Sequence, residues 1–467
     1  MFDFSQRQNR VLHLTWIAFF LTFVSWFNMA PFNTTLMRVV GLSPAQVDIL
    51  MICNVALTVP ARIFIGFLVD RHGPRKIFST LLAFASLVCF QFSLASTFEE
   101  LMISRLLMGI VGAGFVVGIK MIAEWFPPEK MGRAQGIYAG WGNFGAAAAA
   151  FALPLIAHPF SDETGWRVAI AVSGVLCLIW AAVYFKYSAD FPEDAVKFKV
   201  DLREALEVTS RKDLLLLTLM LIPIYGAVAA FFWKLAGNPL PLLSENTFNI
   251  LCAGLILIYA WHVLKCVRYN LSRLEHSEHP YRFSQITILS LIYALTFGSE
   301  LAMVSIFPQF LETSFGLSVA LAGVLGSSFA FMNLVTRPAG GWCSDFFGRR
   351  RMLVILVLGA MICYRVMGGI TPQWSLWQVL ALALACSVFL QAGNGACFAA
   401  VPLIRKDLTG KMAGMAGAYG NVGAVVFLTL HSFMNTQEFF QAISAYALIV
   451  LISLGFLKSF NKEPHSR

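Results

Sequence analysis

The 467-residue sequence predicts an all-α integral membrane protein, two six-helix bundles with two further helices between them, fourteen spans in all. Three observations predict it. The chain is 58% hydrophobic and only 13% charged, with a mean hydropathy of +0.72, whereas a soluble domain carries about 25% charged residues. Apolar runs of about 18 or more residues, the length of a bilayer-spanning helix, recur along its whole length. Two motifs from the first half return, in the same order, in the second.

Twelve runs follow the spacing of two bundles, near 12–32, 45–69, 77–97, 101–124, 133–156, 166–186, 284–310, 318–341, 352–371, 378–404, 412–434 and 440–458. Two more lie at 214–236 and 248–267, each long enough to cross once. Charged stretches flank this pair, from Asp190 to Asp213 and from Lys265 to Arg282. An even insertion preserves the orientation of the second half. The expected organisation is a first bundle over 1–187, a cytoplasmic linker with the extra helices over 188–283, a second bundle over 284–460 and a tail over 461–467. The first apolar run is long enough to span and reads as an uncleaved helix.

The net charge of +9 follows topology. With the N-terminus inside, most Lys and Arg fall in cytoplasmic loops, among them Arg71, Arg75, Lys76, Arg349, Arg350, Arg351, Arg405, Lys406 and Lys411. This is the positive-inside bias, and it calls for no nucleic-acid partner. Both termini are expected in the cytoplasm, in a plasma (inner) membrane. The nine Cys are scattered through apolar segments without metal-type spacing, so they read as small apolar residues. No catalytic triad, phosphate loop or metal motif suggests an enzyme, and no cofactor is expected. Nothing points beyond a monomer in contact with membrane lipid.

The repeat locates the chemistry. RIFIGFLVDRHGPRK and RPAGGWCSDFFGRRR share spacing, so Arg62, Gly66, Asp70, Gly73 and Arg75 answer Arg337, Gly341, Asp345, Gly348 and Arg350 at an offset of 275. Further on, Gly142, Asn143, Gly145 and Ala146 answer Gly420, Asn421, Gly423 and Ala424. Arg62 precedes Asp70, a cytoplasmic-end residue, by eight positions. Eight helical residues rise ~12 Å and half a hydrocarbon core is ~15 Å. Arg62 and Arg337 therefore lie near the bilayer midplane, where an arginine marks function by default. Glu300, with Glu124 near the inner end of the fourth run, is too little carboxylate to neutralise them, so an anion site is expected. Guanidinium is planar, forked and permanently charged, and suits a small flat oxyanion. Asn143 and Asn421 add amide donors. Glycines let helices approach closely.

The stretch from Gly66 to Lys76, with Arg105 and Gly109, resembles the major facilitator superfamily. That resemblance implies alternating access, with gating contacts from Gly66, Asp70, Arg71, Gly341, Asp345 and Arg349. GIYAGWGNFG and GAYGNVGA resemble the two nitrate signatures of the nitrate/nitrite porter (NarK-type) family, whose packing glycines fall at Gly140, Gly142, Gly145, Gly417, Gly420 and Gly423. This resemblance covers the twelve core helices and leaves the inserted pair outside. It implies that Arg62 and Arg337 bind substrate, with Tyr293, Phe297, Phe115, Asn143 and Asn421. Two features depart from the family pattern. Both signatures run on into alanine, and Glu300 stands where several exchangers of the family are uncharged.

The resulting expectation is a nitrate and/or nitrite carrier, favouring nitrate uptake with proton symport through Lys120 or Glu300. For Lys120, pairing with Glu124 one turn away is the structural alternative. Nitrate/nitrite antiport is the alternative mechanism. A fourteen-helix drug/proton exporter is disfavoured, because its G-x-x-x-G-P-x-x-G-G pattern is absent.

Overall fold

A computed structural model describes residues 3–191, 205–237, 241–271, 280–317, 319–371, 373–431 and 433–458. The expected tail at 461–467 and the linker stretches 192–204 and 272–279 lie outside the described residues.

The first half forms α1 (Arg7–Phe27), α2 (Asn33–Val39), α3 (Pro44–Ala56), α4 (Thr58–His72), α5 (Pro74–Leu94), α6 (Phe98–Val111), α7 (Gly114–Trp125), α8 (Pro128–Ala157) and α9 (Asp162–Tyr187). The inserted runs form α10 (Arg211–Ala236) and α11 (Glu245–Leu271). The second half forms α12 (Phe283–Phe315), α13 (Val319–Phe331), α14 (Asn333–Phe347), α15 (Arg349–Met367), α16 (Leu376–Ala400), α17 (Thr409–His431) and α18 (Thr436–Leu454). The described residues contain helix and turn only.

Local chemistry explains the helix ends. Ser43, Thr97, Ser375 and Asn435 each open a helix with a reciprocal box to Gln46, Glu100, Gln378 and Glu438. Each box satisfies donors that a helix start leaves orphaned. Gly73 (φ 84°) and Gly348 (φ 92°) end α4 and α14 in a backbone region that favours glycine. Their 275-residue separation is that of the repeat.

The apolar runs at 45–69, 101–124 and 318–341 are each broken into two helices. The breaks fall at Leu57, at Gly112 and Ala113, and at Met332. Leu57 and Met332 also differ by 275, so both halves interrupt the helix five residues before the buried arginine. In the first half Pro60 contributes, since it has no N–H for the carbonyl of Ala56. Side chains occupy backbone groups around this break. Trp26 Nε1 donates to Asn54 O at 2.7 Å, Asn54 Nδ2 donates to Trp26 O at 2.8 Å, and Thr58 Oγ1 donates to Gly109 O at 2.5 Å.

Packing divides the chain into two units. One comprises Met1–Trp125, Trp141–Phe283 and Gly410–Ala418; the other comprises Phe126–Gly140, Ser284–Thr409 and Tyr419–Arg467. The first turns of α8 thus pack with the second unit, and the first turns of α17 with the first.

Twelve helices among the described residues are long and apolar enough to cross a membrane, and both α10 and α11 are among them. The twelve do not include α13, α14 or α15; α13 has 13 residues, α14 carries Arg337 and Asp345, and α15 carries Arg349, Arg350, Arg351 and Arg365. The inserted pair belongs to the first unit. There α10 packs on α3 and α4, and α11 packs on α10. Asn270 ties the pair to the preceding strap, accepting from Val208 N at 2.8 Å and donating to Leu206 O at 3.1 Å.

Candidate functional site

In the first unit the site is built on α4, α7 and the start of α17. Arg62 is fully buried. Its Nη1 donates to Gly417 O at 2.5 Å and its Nε to Gly112 O at 3.4 Å. The break between α6 and α7 falls at Gly112, which explains why that carbonyl is open to a side chain. The guanidinium carbon lies 5.4 Å from the centroid of Phe115, in the first turn of α7. This is cation–π range. Phe19 extends the aromatic wall, its ring 5.6 Å from that of Phe115. Gly142 packs on Phe19 so closely that a Cβ there would collide with the ring. Gly145 packs on the carbonyl of Phe20 in the same way. Asn143, between these glycines, is buried, and neither atom of its amide has a partner among the described residues.

In the second unit the site is built on α12, α14, α16 and the later turns of α17. Arg337 is fully buried and its Nη2 donates to Tyr293 Oη at 3.2 Å. The Tyr293 and Phe297 rings stack at 4.9 Å with an interplanar angle of 3°. Arg337 lies 5.9 Å from the Phe297 centroid. Phe398 meets Tyr293 edge-on at 4.6 Å. Gly420 backs this stack, and a Cβ there would lie 2.6 Å from Tyr293 Cε1. Gly423 rests on Ala294, and Gly140 on Asn333 and Pro338. Asn421 follows Gly420 and is fully buried, again with no amide partner among the described residues. Buried amides are nearly always hydrogen-bonded, and these two have no such bond among the described residues.

Glu300 is buried on α12. Its Oε1 accepts from Asn333 Nδ2 at 2.5 Å and its Oε2 from Asn394 Nδ2 at 2.6 Å. Lys120, the other candidate for coupling, sits in an ion cluster. Its Nζ lies 2.9 Å from Glu124 and 3.3 Å from Asp70. The pairing with Glu124 expected from helical spacing is therefore present, and Asp70 is a second carboxylate on the same cation.

The loop aspartates behave alike. Asp70 accepts from Gly410 N at 3.1 Å and Lys411 N at 2.9 Å. Asp345 accepts from Gly132 N at 3.1 Å and Arg133 N at 3.0 Å. Asp70 thus binds the positive start of α17, and Asp345 binds α8 about one turn in. Gly132 and Gly410 differ by 278, the offset of the glycine signatures on the same two helices. Gly66 faces Gly410 and Gly341 faces Gly132, each too closely for a Cβ. Arg349 bonds Asp345 at 2.7 Å and Pro128 O at 2.9 Å. Arg71 stands apart, exposed and with no hydrogen bond or ion pair among the described residues.

Phe19, Phe398, Asn333 and Asn394 escaped the sequence reading, and Lys411 entered it only as a loop charge. The two phenylalanines are hidden among 42 in the chain. The asparagines lie outside both glycine signatures, and nothing in their neighbours pairs them with Glu300.

Repeated helices around a buried arginine in each half define a membrane carrier. A family model described as Major Facilitator Superfamily matches residues 15–264 and 289–467. Among curated relatives, the nitrate/nitrite transporter NrtP of Nostoc punctiforme is 42% identical, the alignment covering 99% of this chain and 94% of that one. NrtP of a Picosynechococcus species is 39% identical with the same coverage. Nitrate transporter 2.1 of Chlamydomonas reinhardtii is 28% identical over 91% of this chain and 68% of its own. The chain belongs to the nitrate/nitrite porter family of the Major Facilitator Superfamily. It is a transporter, not an enzyme. The matched stretch runs through α10 and into α11, so the inserted pair is not outside the likeness, as the motifs alone suggested. A solved proton:xylose symporter, XylE, shares the fold with a TM-score of 0.64 at 16% identity, over 97% of both chains. The human organic anion transporter MFSD10 does so with a TM-score of 0.61 at 14% identity, over 96% of this chain and 99% of that one.

Proposed function

We propose that this protein carries nitrate and/or nitrite across the plasma membrane by alternating access, with Arg62 and Arg337 as the anion ligands. One observation carries the reading. Each unit holds a fully buried arginine against aromatic rings, and a glycine-bearing helix segment whose buried asparagine amide has no partner among the described residues. A flat oxyanion supplies the acceptors that forked guanidinium and free amides call for. The names of the relatives agree with this substrate class.

In this reading fourteen helices cross the membrane with both termini cytoplasmic. The support is the basic residues of the loops and the two apolar inserted helices. Uptake of an anion against an inside-negative potential costs ~2.3 kcal/mol per charge per 100 mV, so nitrate uptake needs coupling, which proton symport supplies in this reading and nitrate/nitrite exchange supplies in the alternative.

The test is labelled nitrate counterflow in proteoliposomes. Wild type should exchange nitrate. Arg62→Lys and Arg337→Lys keep the charge but lose the fork, removing about 1.5–3 kcal/mol per charge-assisted bond, and flux should fall on the order of a hundredfold. Undiminished counterflow by both variants sinks the assignment of ligands.

A further inference from the structure

We propose that Glu300, held between Asn333 and Asn394, is the proton-binding site coupled to the anion at Arg337. The inference rests on the nitrate-carrier reading and extends it. Glu300 is buried within α12, and each of its oxygens accepts one amide N–H, from Asn333 on α14 and Asn394 on α16. The other end of each amide matters equally. Asn333 Oδ1 and Asn394 Oδ1 are both buried and have no partner among the described residues.

That arrangement suits both charge states. An ionised carboxylate is an acceptor only, and two N–H groups satisfy it. A protonated carboxyl has one O–H to donate. Half a turn of either amide about its own axis presents Oδ1 to that hydroxyl, while the other amide keeps donating to the carbonyl oxygen. The proton is then held by an acceptor that is otherwise orphaned. Lysine or arginine in place of the asparagines would be donors only and could not receive it. A buried polar group left unmatched in one of its states is costly, and here the same two residues match both.

The link to the anion is electrostatic. Arg337 lies four residues after Asn333, on the same face of α14, and its charge acts on Glu300. From α15 the facing titratable group is Tyr364, and behind it Cys386 on α16. Neutralising Glu300 leaves the charge of Arg337 less compensated and strengthens its hold on an anion. By reciprocity, a bound anion strengthens the hold of Glu300 on its proton. The two ligands therefore load together. As pH rises and Glu300 loses its proton, the half-saturating nitrate concentration rises, by up to about tenfold per pH unit for one linked proton.

The experiment uses the full chain in proteoliposomes, with labelled nitrate as probe. Wild type should show counterflow at equal pH and accumulate nitrate under an inward proton gradient without internal anion. Glu300→Gln should abolish gradient-driven accumulation and flatten the pH dependence of half-saturation, and Glu300→Asp should restore both. Calorimetry of nitrate binding to purified protein, in buffers of differing ionisation enthalpy, gives a readout independent of flux. Wild type should take up close to one proton per nitrate, and Glu300→Gln none. Accumulation by Glu300→Gln, or equal proton uptake by it and wild type, overturns the proton site. Absence of nitrate counterflow and nitrate binding in wild type overturns the carrier reading instead.

Discussion

The hydrogen bonds described for the arginine of the first unit run to backbone carbonyls, and the one described for the second runs to a side chain. Arg62 donates to the carbonyls of Gly417 and Gly112. Arg337 donates to the hydroxyl of Tyr293 and lies within the field of Glu300. A carbonyl has no proton to exchange and does not titrate. A phenol and a carboxylate do. Under the proposed function, equal positions in the repeat would make a fixed anion ligand on one side and an adjustable one on the other. Duplication supplied the spacing, and the surroundings set the roles.

The largest effect expected outside the two arginines concerns the ion cluster of the first unit. Lys120→Met removes the cation that pairs with both Asp70 and Glu124. Breaking a buried pair in this way costs about 3–5 kcal/mol, which thermal unfolding in detergent should register as a large loss. Asp70→Asn leaves Lys120 its bond to Glu124 and should cost less. If Lys120→Met unfolds like wild type, the cluster contributes nothing to stability and Lys120 becomes available for coupling.

Next comes the aromatic wall. Gly420→Ala drives a methyl to 2.6 Å from Tyr293, while Gly417→Ala puts one at 3.2 Å from the Arg62 side chain. Overpacking costs about 1–3 kcal/mol, so nitrate half-saturation should worsen about tenfold or more for Gly420→Ala. For Gly417→Ala, where the contact is looser, about twofold is expected. The reverse order would show that the side-chain-held site is the more tolerant one. Tyr293→Phe keeps the stack and loses one bond to a charged group. About 1.5 kcal/mol, the low end for such bonds, corresponds to roughly tenfold in affinity at most. An unchanged affinity would mean that Arg337 takes its place without the phenol.

Much of this was legible in the sequence because repetition is a spacing signal. The 275 offset located Arg62 and Arg337, and the glycine signatures located Asn143 and Asn421. The helix breaks at Leu57 and Met332 were not legible. Pro60 and Pro338 stand at different distances from them, so no shared residue announces the interruption. The partners of Arg62 were hidden for a plainer reason, since every residue has a carbonyl. Lys120 with Glu124 could be read from helical spacing, but Asp70 joins them only through folding. The exchanged ends of α8 and α17 left no mark in composition.

The outer inserted helix has a practical consequence. Only Cys266 and Asn270 of α11 are buried, and Ile256 and Leu257 are 66% and 71% exposed. A fluorophore or spin label attached at either position would start from an exposed side of that helix. That helix is a ready-made handle by which the working parts of the molecule can be watched without being touched.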